Sequence, residues 1–184
     1  MLIHHNVHCQ TLADPIKQQG MTLVELMVGI AILGIISAIA VPSYTEFIAN
    51  TQIRSTTESI RNGLQVARAE AIKRNAPVKF TLSTSDTSWV VGCITTTTNC
   101  PATIQSKTPK EGGSSSITVA VTGANPITFN NLGSISALSQ IDVDNNSIAA
   151  AKSKDLRIRV GVGGNVRVCD PNVTLTTDTR YCAT

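Results

Sequence analysis

The stretch GMTLVELMVGIAILGIISAIAV, residues 20–41, decides how this chain is organised. Residues 26–41 carry no charge, and as a helix they would be about 24 Å long, shorter than a hydrocarbon core roughly 30 Å thick. Adding residues 21–25 lengthens the helix to about 31 Å, enough to cross that core with little tilt. The sequence therefore predicts a membrane-spanning helix over 21–41 that contains Glu25.

The acid at Glu25 is unusual inside such a helix. A cleaved secretory signal has no acid in its apolar region, and residues 41–44 offer no convincing small-x-small cleavage site. An ordinary membrane anchor would also avoid a carboxylate near its end. Because an ionised group is costly inside a membrane, Glu25 indicates a cationic partner on another copy or another subunit.

The residues around this acid resemble a known motif. Residues 20–26, GMTLVEL, closely resemble the cleavage and methylation motif of type IV prepilins, most of which have Phe where this chain has Met21. The resemblance implies that a prepilin peptidase cuts between Gly20 and Met21 on the cytoplasmic side and methylates the new amine. It also implies that Glu25, then the fifth residue, neutralises the Met21 ammonium of a neighbouring subunit during filament assembly. Residues 1–20 would be the leader, with a length that a start codon assigned upstream of the true one would explain.

The composition gives little support for an enzyme or a nucleic-acid binder. All three histidines, His4, His5 and His8, fall in the expected leader, so the mature chain would lack the imidazole that catalytic triads and His-ligated zinc sites need. The net charge of +3 is too small to identify a nucleic-acid binder. We expect no catalytic site, no metal and no cofactor.

Beyond Pro42 the apolar pattern becomes that of an amphipathic helix over residues 42–75. Proline lacks an N–H and should kink or loosen the helix locally. One stripe then recurs with helical spacing, consisting of Ile53, Ile60, Leu64, Ala67 and Ala71. Residues 62–75 are similar to the second half of this helix in the FimT/FimU minor pilins and in the related H-type (GspH) pseudopilins of type II secretion.

After Pro77 the apolar period changes from helical spacing to alternation, which predicts strands. The predicted strands are 78–82, 89–91, 117–121, 127–129, 156–162 and 166–168, and the polar stretches 95–98, 107–116 and 134–153 are interpreted as surface loops. The fold class is therefore α+β. The expected pilin-like fold has a long N-terminal helix packed on an antiparallel sheet, with the head formed by residues 76–184.

The mature chain would contain four cysteines in a part expected outside the cytoplasm, where disulfides persist. Three pairings are possible, and proximity in the sequence favours Cys93 with Cys100 and Cys169 with Cys182. A thiol site is the alternative.

Three arginines are candidates for DNA contact. Arg157 and Arg159 alternate with apolar residues and should share the outward face of one strand. Arg167 joins them across a hairpin if Val166 and Val168 point inward. The tail of FimT-like DNA-uptake subunits carries a Gly-Arg-x-Arg motif, of which residues 164–167 keep the glycine and the second arginine.

The stretch 142–146, DVDNN, has oxygen side chains at alternate positions, as a calcium loop does. Ser147 stands where the turn glycine should be, and Ser153 where the bidentate glutamate should be. Turn chemistry explains these side chains without a metal.

These patterns together predict a minor pilin that helps to initiate or cap a type IV pilus. The alternatives are an H-type pseudopilin of type II secretion and a DNA-binding pilin for natural transformation. The resemblance implies other major and minor pilins, the prepilin peptidase, an inner-membrane assembly platform and membrane lipid as partners, and DNA in the third case. It places the chain in the inner membrane with a periplasmic head, which reaches the pilus tip or cell surface after assembly.

Overall fold

The computed structural model describes residues 20–108 and 115–182. His4, His5, His8, Cys9 and the rest of the expected leader before Gly20 lie outside the described residues. The described residues divide into two compact units, the first ending at Ala40 and the second beginning at Val41.

One helix, α1, spans Leu23–Arg74 and is 52 residues long. It is the one helix in the described part that is long and apolar enough to cross a membrane, with a mean hydropathy of 2.5 in its most apolar window and none of that window buried. The helix continues through Pro42. Lys73 and Arg74 lie in the last turn, where their positive charges interact favourably with the negative end of the helix dipole.

Within the described residues the head contains eight strands, two of which the sequence does not predict. They are β1 (Val78–Leu82), β2 (Trp89–Cys93), β3 (Gln105–Lys107), β4 (Ile117–Thr122), β5 (Ile127–Phe129), β6 (Ser139–Asn145), β7 (Leu156–Val160) and β8 (Val166–Cys169). They form two antiparallel sheets of four strands, in the orders β3-β2-β1-β5 and β4-β6-β7-β8. The predicted α+β fold, a long helix packed on antiparallel strands, is confirmed, but the strands form two sheets where the sequence analysis expects one.

The predicted helical stripe is confirmed as part of the core. All five of its residues are fully buried and belong to one apolar cluster with both sheets, whose largest members include Phe80, Phe129, Ile141 and Ile158. Burying a side chain of this size stabilises the fold by about 1.5–3 kcal/mol. Gly63 allows the helix to approach the sheet, because a Cβ added there would lie 2.6 Å from the Phe80 ring.

Strand β6 lies where the sequence analysis predicts a loop, and that prediction is wrong. Its residues alternate regularly between buried and half-buried positions. Only Ile141 and Val143 supply large apolar side chains to the buried face, and they alternate with Asp142 and Asp144 before the strand ends at Asn145. Asp and Asn are rare in strands. Strand β7 also ends earlier than predicted, at Val160, because residues 161–164 turn back, with the Gly164 N–H donating to the Gly161 carbonyl at 2.7 Å.

Candidate functional site

The N-terminal segment begins with an exposed Gly20 and Met21 followed by a capped helix end. The Thr22 hydroxyl accepts a hydrogen bond from the Glu25 backbone N–H at 3.2 Å, as an N-cap residue does. Glu25 is exposed and is the one charged residue between positions 21 and 45. The large apolar side chains that surround it along the helix are exposed as well, Leu23 and Val24 by 74% and 68%.

The structure contains the disulfides Cys93–Cys100 and Cys169–Cys182. The first closes a loop that the end of the helix holds in place, because the Arg74 guanidinium donates to the Asn99 carbonyl and to Glu70. The second joins the last residue of β8 to the C-terminal tail. In that tail the Asp170 N–H donates to the Arg180 carbonyl at 2.8 Å.

The three candidate arginines lie on one face of the second sheet. Arg159 is directly opposite Arg167 in the register of β7 and β8, and Val160 and Ile158 are opposite Val166 and Val168. Val166 and Val168 pack against the core, so the alternate residues Arg159 and Arg167 project from the other side of the sheet. The Arg167 guanidinium donates to the Thr179 carbonyl of the tail at 3.3 Å.

Arg157 is not available as the sequence interpretation assumed. Asp142 is its cross-strand neighbour in β6, and the two form a bidentate ion pair with N–O distances of 2.5 and 3.3 Å. The Gln140 amide donates to the same carboxylate at 2.9 Å. The positive charge of this face is therefore concentrated at Arg159 and Arg167.

A cleft of about 400 Å³ lies beside these two arginines. Its lining comes from β4, β6, β7, β8 and the turns beside them, and includes Gln140, Asn165, Gly123 and Ser139 as well as Arg159 and Arg167. Ser139 is 3% exposed. Its hydroxyl oxygen is buried and has no hydrogen-bond partner within residues 20–108 and 115–182.

Two neighbouring carboxyls form an acidic pair that the sequence analysis does not predict. Asp144 lies in β6, and Asp155 lies immediately before β7. Burial raises the pKa of Asp155, and the neighbouring Asp144 raises it further. Burial also acts to raise the pKa of Asp144, but hydrogen bonds from Ser153, Asp155 and the Asn145 N–H together hold that pKa below its ordinary value. The Ser153 hydroxyl donates to Asp144 at 2.6 Å.

Asp142 and Asp144 belong to the stretch that resembles a calcium loop, and the structure corrects its interpretation as a turn. Both aspartates lie in strand β6. Asp142 is paired with Arg157 and Asp144 with Ser153. Strand pairing and these contacts account for the two acids. The turn interpretation holds for Asn145, whose side-chain oxygen accepts a hydrogen bond from the Ser147 N–H at 2.8 Å.

Arg68 has a role that the sequence interpretation missed. Its guanidinium donates to the Gly133 carbonyl at 3.1 Å and to the Gly163 carbonyl at 3.2 Å, so it joins the helix to a turn beside each sheet. Gly164 has a φ of 73°, and a Cβ added there would lie 1.8 Å from the Gly133 oxygen. The glycine shared with the FimT-like tail motif is therefore required by close packing.

Comparisons with known proteins agree with this geometry. The family model "Type II transport protein GspH" matches residues 56–180, and "Prokaryotic N-terminal methylation motif" matches residues 16–41. A fimbrial protein of Pseudomonas aeruginosa is 35% identical over 75 residues, 41% of this chain and 48% of its own length. The type IV major fimbrial protein FimA of Dichelobacter nodosus is 43% identical over 56 residues, 30% of this chain and 34% of its own length. The chain thus spans less than half the length of these curated relatives.

Two solved structures share the fold. The type IV minor pilin FimU of Pseudomonas aeruginosa has a TM-score of 0.53 at 14% identity, covering 68% of this chain and 97% of FimU. The minor pseudopilin EpsH from the type 2 secretion system of Vibrio cholerae has a TM-score of 0.51 at 12% identity, covering 66% and 99%. At such identities the likeness shows the fold alone. Pilins and pseudopilins are structural proteins and not enzymes, and by its family match and its methylation motif this chain belongs to the GspH family of type IV pilin-like proteins.

Proposed function

We propose that this chain is a minor subunit of a type IV pilus that helps to initiate or cap the filament, with its head at or near the tip. The observation that carries the proposal is the exposed apolar surface of the first half of α1, where side chains such as Leu33 and Ile39 are 63% and 74% exposed. A large apolar surface of this kind requires a cover. Lipid supplies it before assembly, and the helices of other pilins supply it in the filament.

Glu25 pairs the helix of one subunit with the N-terminus of a neighbouring subunit. A carboxylate among apolar helices is stabilised when a cation lies beside it, and the methylated amine of Met21 on a neighbouring subunit is such a cation. Cleavage by a prepilin peptidase between Gly20 and Met21 creates that amine. The inner membrane then stores the subunit, with its head in the periplasm, until the assembly platform adds it to the filament.

A minor pseudopilin of a type II secretion system is the second candidate. The match of residues 56–180 to the GspH model supports it. Deletion of the gene separates the two candidates: loss of surface pili with normal protein secretion supports the pilus subunit, whereas loss of secretion with normal piliation supports the pseudopilin. Complementation with the wild-type chain is the control.

DNA capture for natural transformation is the third candidate. Arg159, which has no hydrogen bond or ion pair within residues 20–108 and 115–182, supports it, as does the exposed Arg167. Asp142 and Asp144 on the same face oppose it. The affinity for DNA should fall steeply as the salt concentration rises, because binding releases counterions from the phosphates. The affinity should rise in the variant Asp142→Asn, because Arg157 then loses its carboxylate partner and can contact a phosphate. Titration of the full chain in neutral detergent with duplex DNA at low and physiological salt tests both properties, and absence of binding at low salt would contradict this candidate.

A further inference from the structure

We propose that the cleft beside Arg159 and Arg167 is a binding site for one compact oxyanion group, a carboxylate or phosphate carried by a small ligand. The cleft lies between the ends of β4, β6 and β7 and the turn before β8. The proposal concerns the folded head alone and does not depend on which filament the chain joins.

Arg159 and Arg167 repel each other. Arg159 and Arg167 are directly opposite each other in neighbouring strands, an arrangement in which like charges destabilise a sheet. The Arg159 side chain has no hydrogen bond or ion pair to the part of the chain that the structure describes. Arg167 contacts a carbonyl of the tail rather than a carboxylate. An anion between the two guanidinium groups would turn this repulsion into attraction.

Neutral polar groups also line the cleft beside the arginines. Gln140 and Asn165 add neutral amides to the lining. The Gln140 amide nitrogen is already used by Asp142, which leaves its carbonyl oxygen to accept from a ligand hydroxyl. The cleft thus combines two cations with groups suited to the neutral polar part of a small molecule.

The size of the cleft limits the size of the ligand. The volume of about 400 Å³ falls within the roughly 300–1,000 Å³ of small-molecule sites. A duplex would instead need a row of positive charges along its phosphates, and here Asp142 neutralises Arg157 next to the arginine pair. The apolar Leu138 and Val160 also line the cleft. These features favour a single anionic group on a small ligand over a nucleic-acid backbone.

Thermal unfolding of the full chain in neutral detergent tests the site. The probes are inorganic phosphate and glucuronate, with glucose as a neutral control and chloride keeping the ionic strength constant. A ligand that binds the folded state raises the melting temperature, and we expect both anions, but not glucose, to raise it by a few degrees. Arg159→Gln and Arg167→Gln should each weaken binding about tenfold, since each removes a charge-assisted hydrogen bond.

Arg61→Gln is the matched control, because it changes the charge equally at an exposed helix position outside the cleft. It should leave anion binding unchanged. Arg159→Gln should also raise the melting temperature in chloride alone, because the repulsion is removed, and Arg61→Gln should not. No response to either anion would overturn the proposal, as would equal losses in Arg61→Gln. Duplex DNA that binds at physiological salt and displaces phosphate would replace the small ligand with nucleic acid.

Discussion

The Thr22 hydroxyl accepts a hydrogen bond from the backbone N–H of Glu25, at an oxygen to nitrogen distance of 3.2 Å. Thr22 immediately precedes the helix, and Glu25 is its third residue, which is the spacing of a capping box. Glu25 could therefore serve the helix end as well as a neighbouring subunit. The two roles differ chemically, because glutamine also serves in a capping box but carries no charge.

Glu25→Gln and Glu25→Ala separate the two roles. If Glu25 neutralises a neighbour's amine, both variants should insert into the membrane normally but be depleted in sheared filaments, because both lack the carboxylate. The measurement is the ratio of the subunit in filament and membrane fractions. Wild-type incorporation of Glu25→Gln together with loss of Glu25→Ala would show that capping, not charge, is the role of this residue.

Gly164→Ala should destabilise the head strongly, because the new Cβ would meet the Gly133 oxygen at a position where φ is already 73°. Gly163→Ala is the matched control, since a Cβ there meets nothing within 4 Å. We expect a loss of several kcal/mol in the free energy of unfolding for Gly164→Ala and about 1 kcal/mol or less for Gly163→Ala. Equal stabilities in denaturant titration would contradict the close packing of the two turns.

The sequence predicts only part of the candidate site, because some of its arginines have partners that no sequence pattern reveals. Strand alternation was enough to place Arg159 and Arg167 on one face, because their apolar neighbours define the inner side. The Arg157–Asp142 pair could be predicted only if β6 were recognised as a strand. The two aspartates of β6 make its sequence look like a loop, so the pairing was missed. The partners of Arg68 are backbone carbonyls 65 and 95 residues away, and no side-chain pattern marks a backbone acceptor. The helix was predictable because its apolar stripe is long and regular.

Asp155 should make stability depend on pH. Its pKa is raised in the folded head, first by burial and then by Asp144, so ionisation costs more in the folded than in the unfolded state. Its stabilising contribution is complete below the ordinary aspartate pKa of about 4 and is lost as the pH rises through the higher folded value. Asp155→Asn should therefore raise the melting temperature at about pH 7 but have little effect at about pH 3.

Asp144 gives the opposite control for this prediction. Its folded pKa is lowered, so its contribution is present above the ordinary value and is lost as the pH falls. Asp144→Asn should lower the melting temperature at about pH 7, where Asp155→Asn raises it. A destabilising effect of Asp155→Asn at neutral pH would contradict the proposed interaction of the two carboxyls.

The oxidised head should contain no free thiol among its four cysteines. Peptide mapping should link Cys93 to Cys100 and Cys169 to Cys182, the bonds present in the structure. Replacing both Cys169 and Cys182 with serine should cost about 2–4 kcal/mol of stability. The double variant at Cys93 and Cys100 provides a comparison at the other loop. Crossed links in the mapping would contradict the arrangement of both loops.

Mass spectrometry of the chain recovered from sheared filaments tests the central claim, that this is a processed filament subunit, most directly. Cells with an active prepilin peptidase should yield a chain that begins at N-methylated Met21, and replacement of Gly20 should retain the leader and remove the chain from the filament fraction. A wild-type chain found only in the membrane fraction with residues 1–20 still attached would contradict the account.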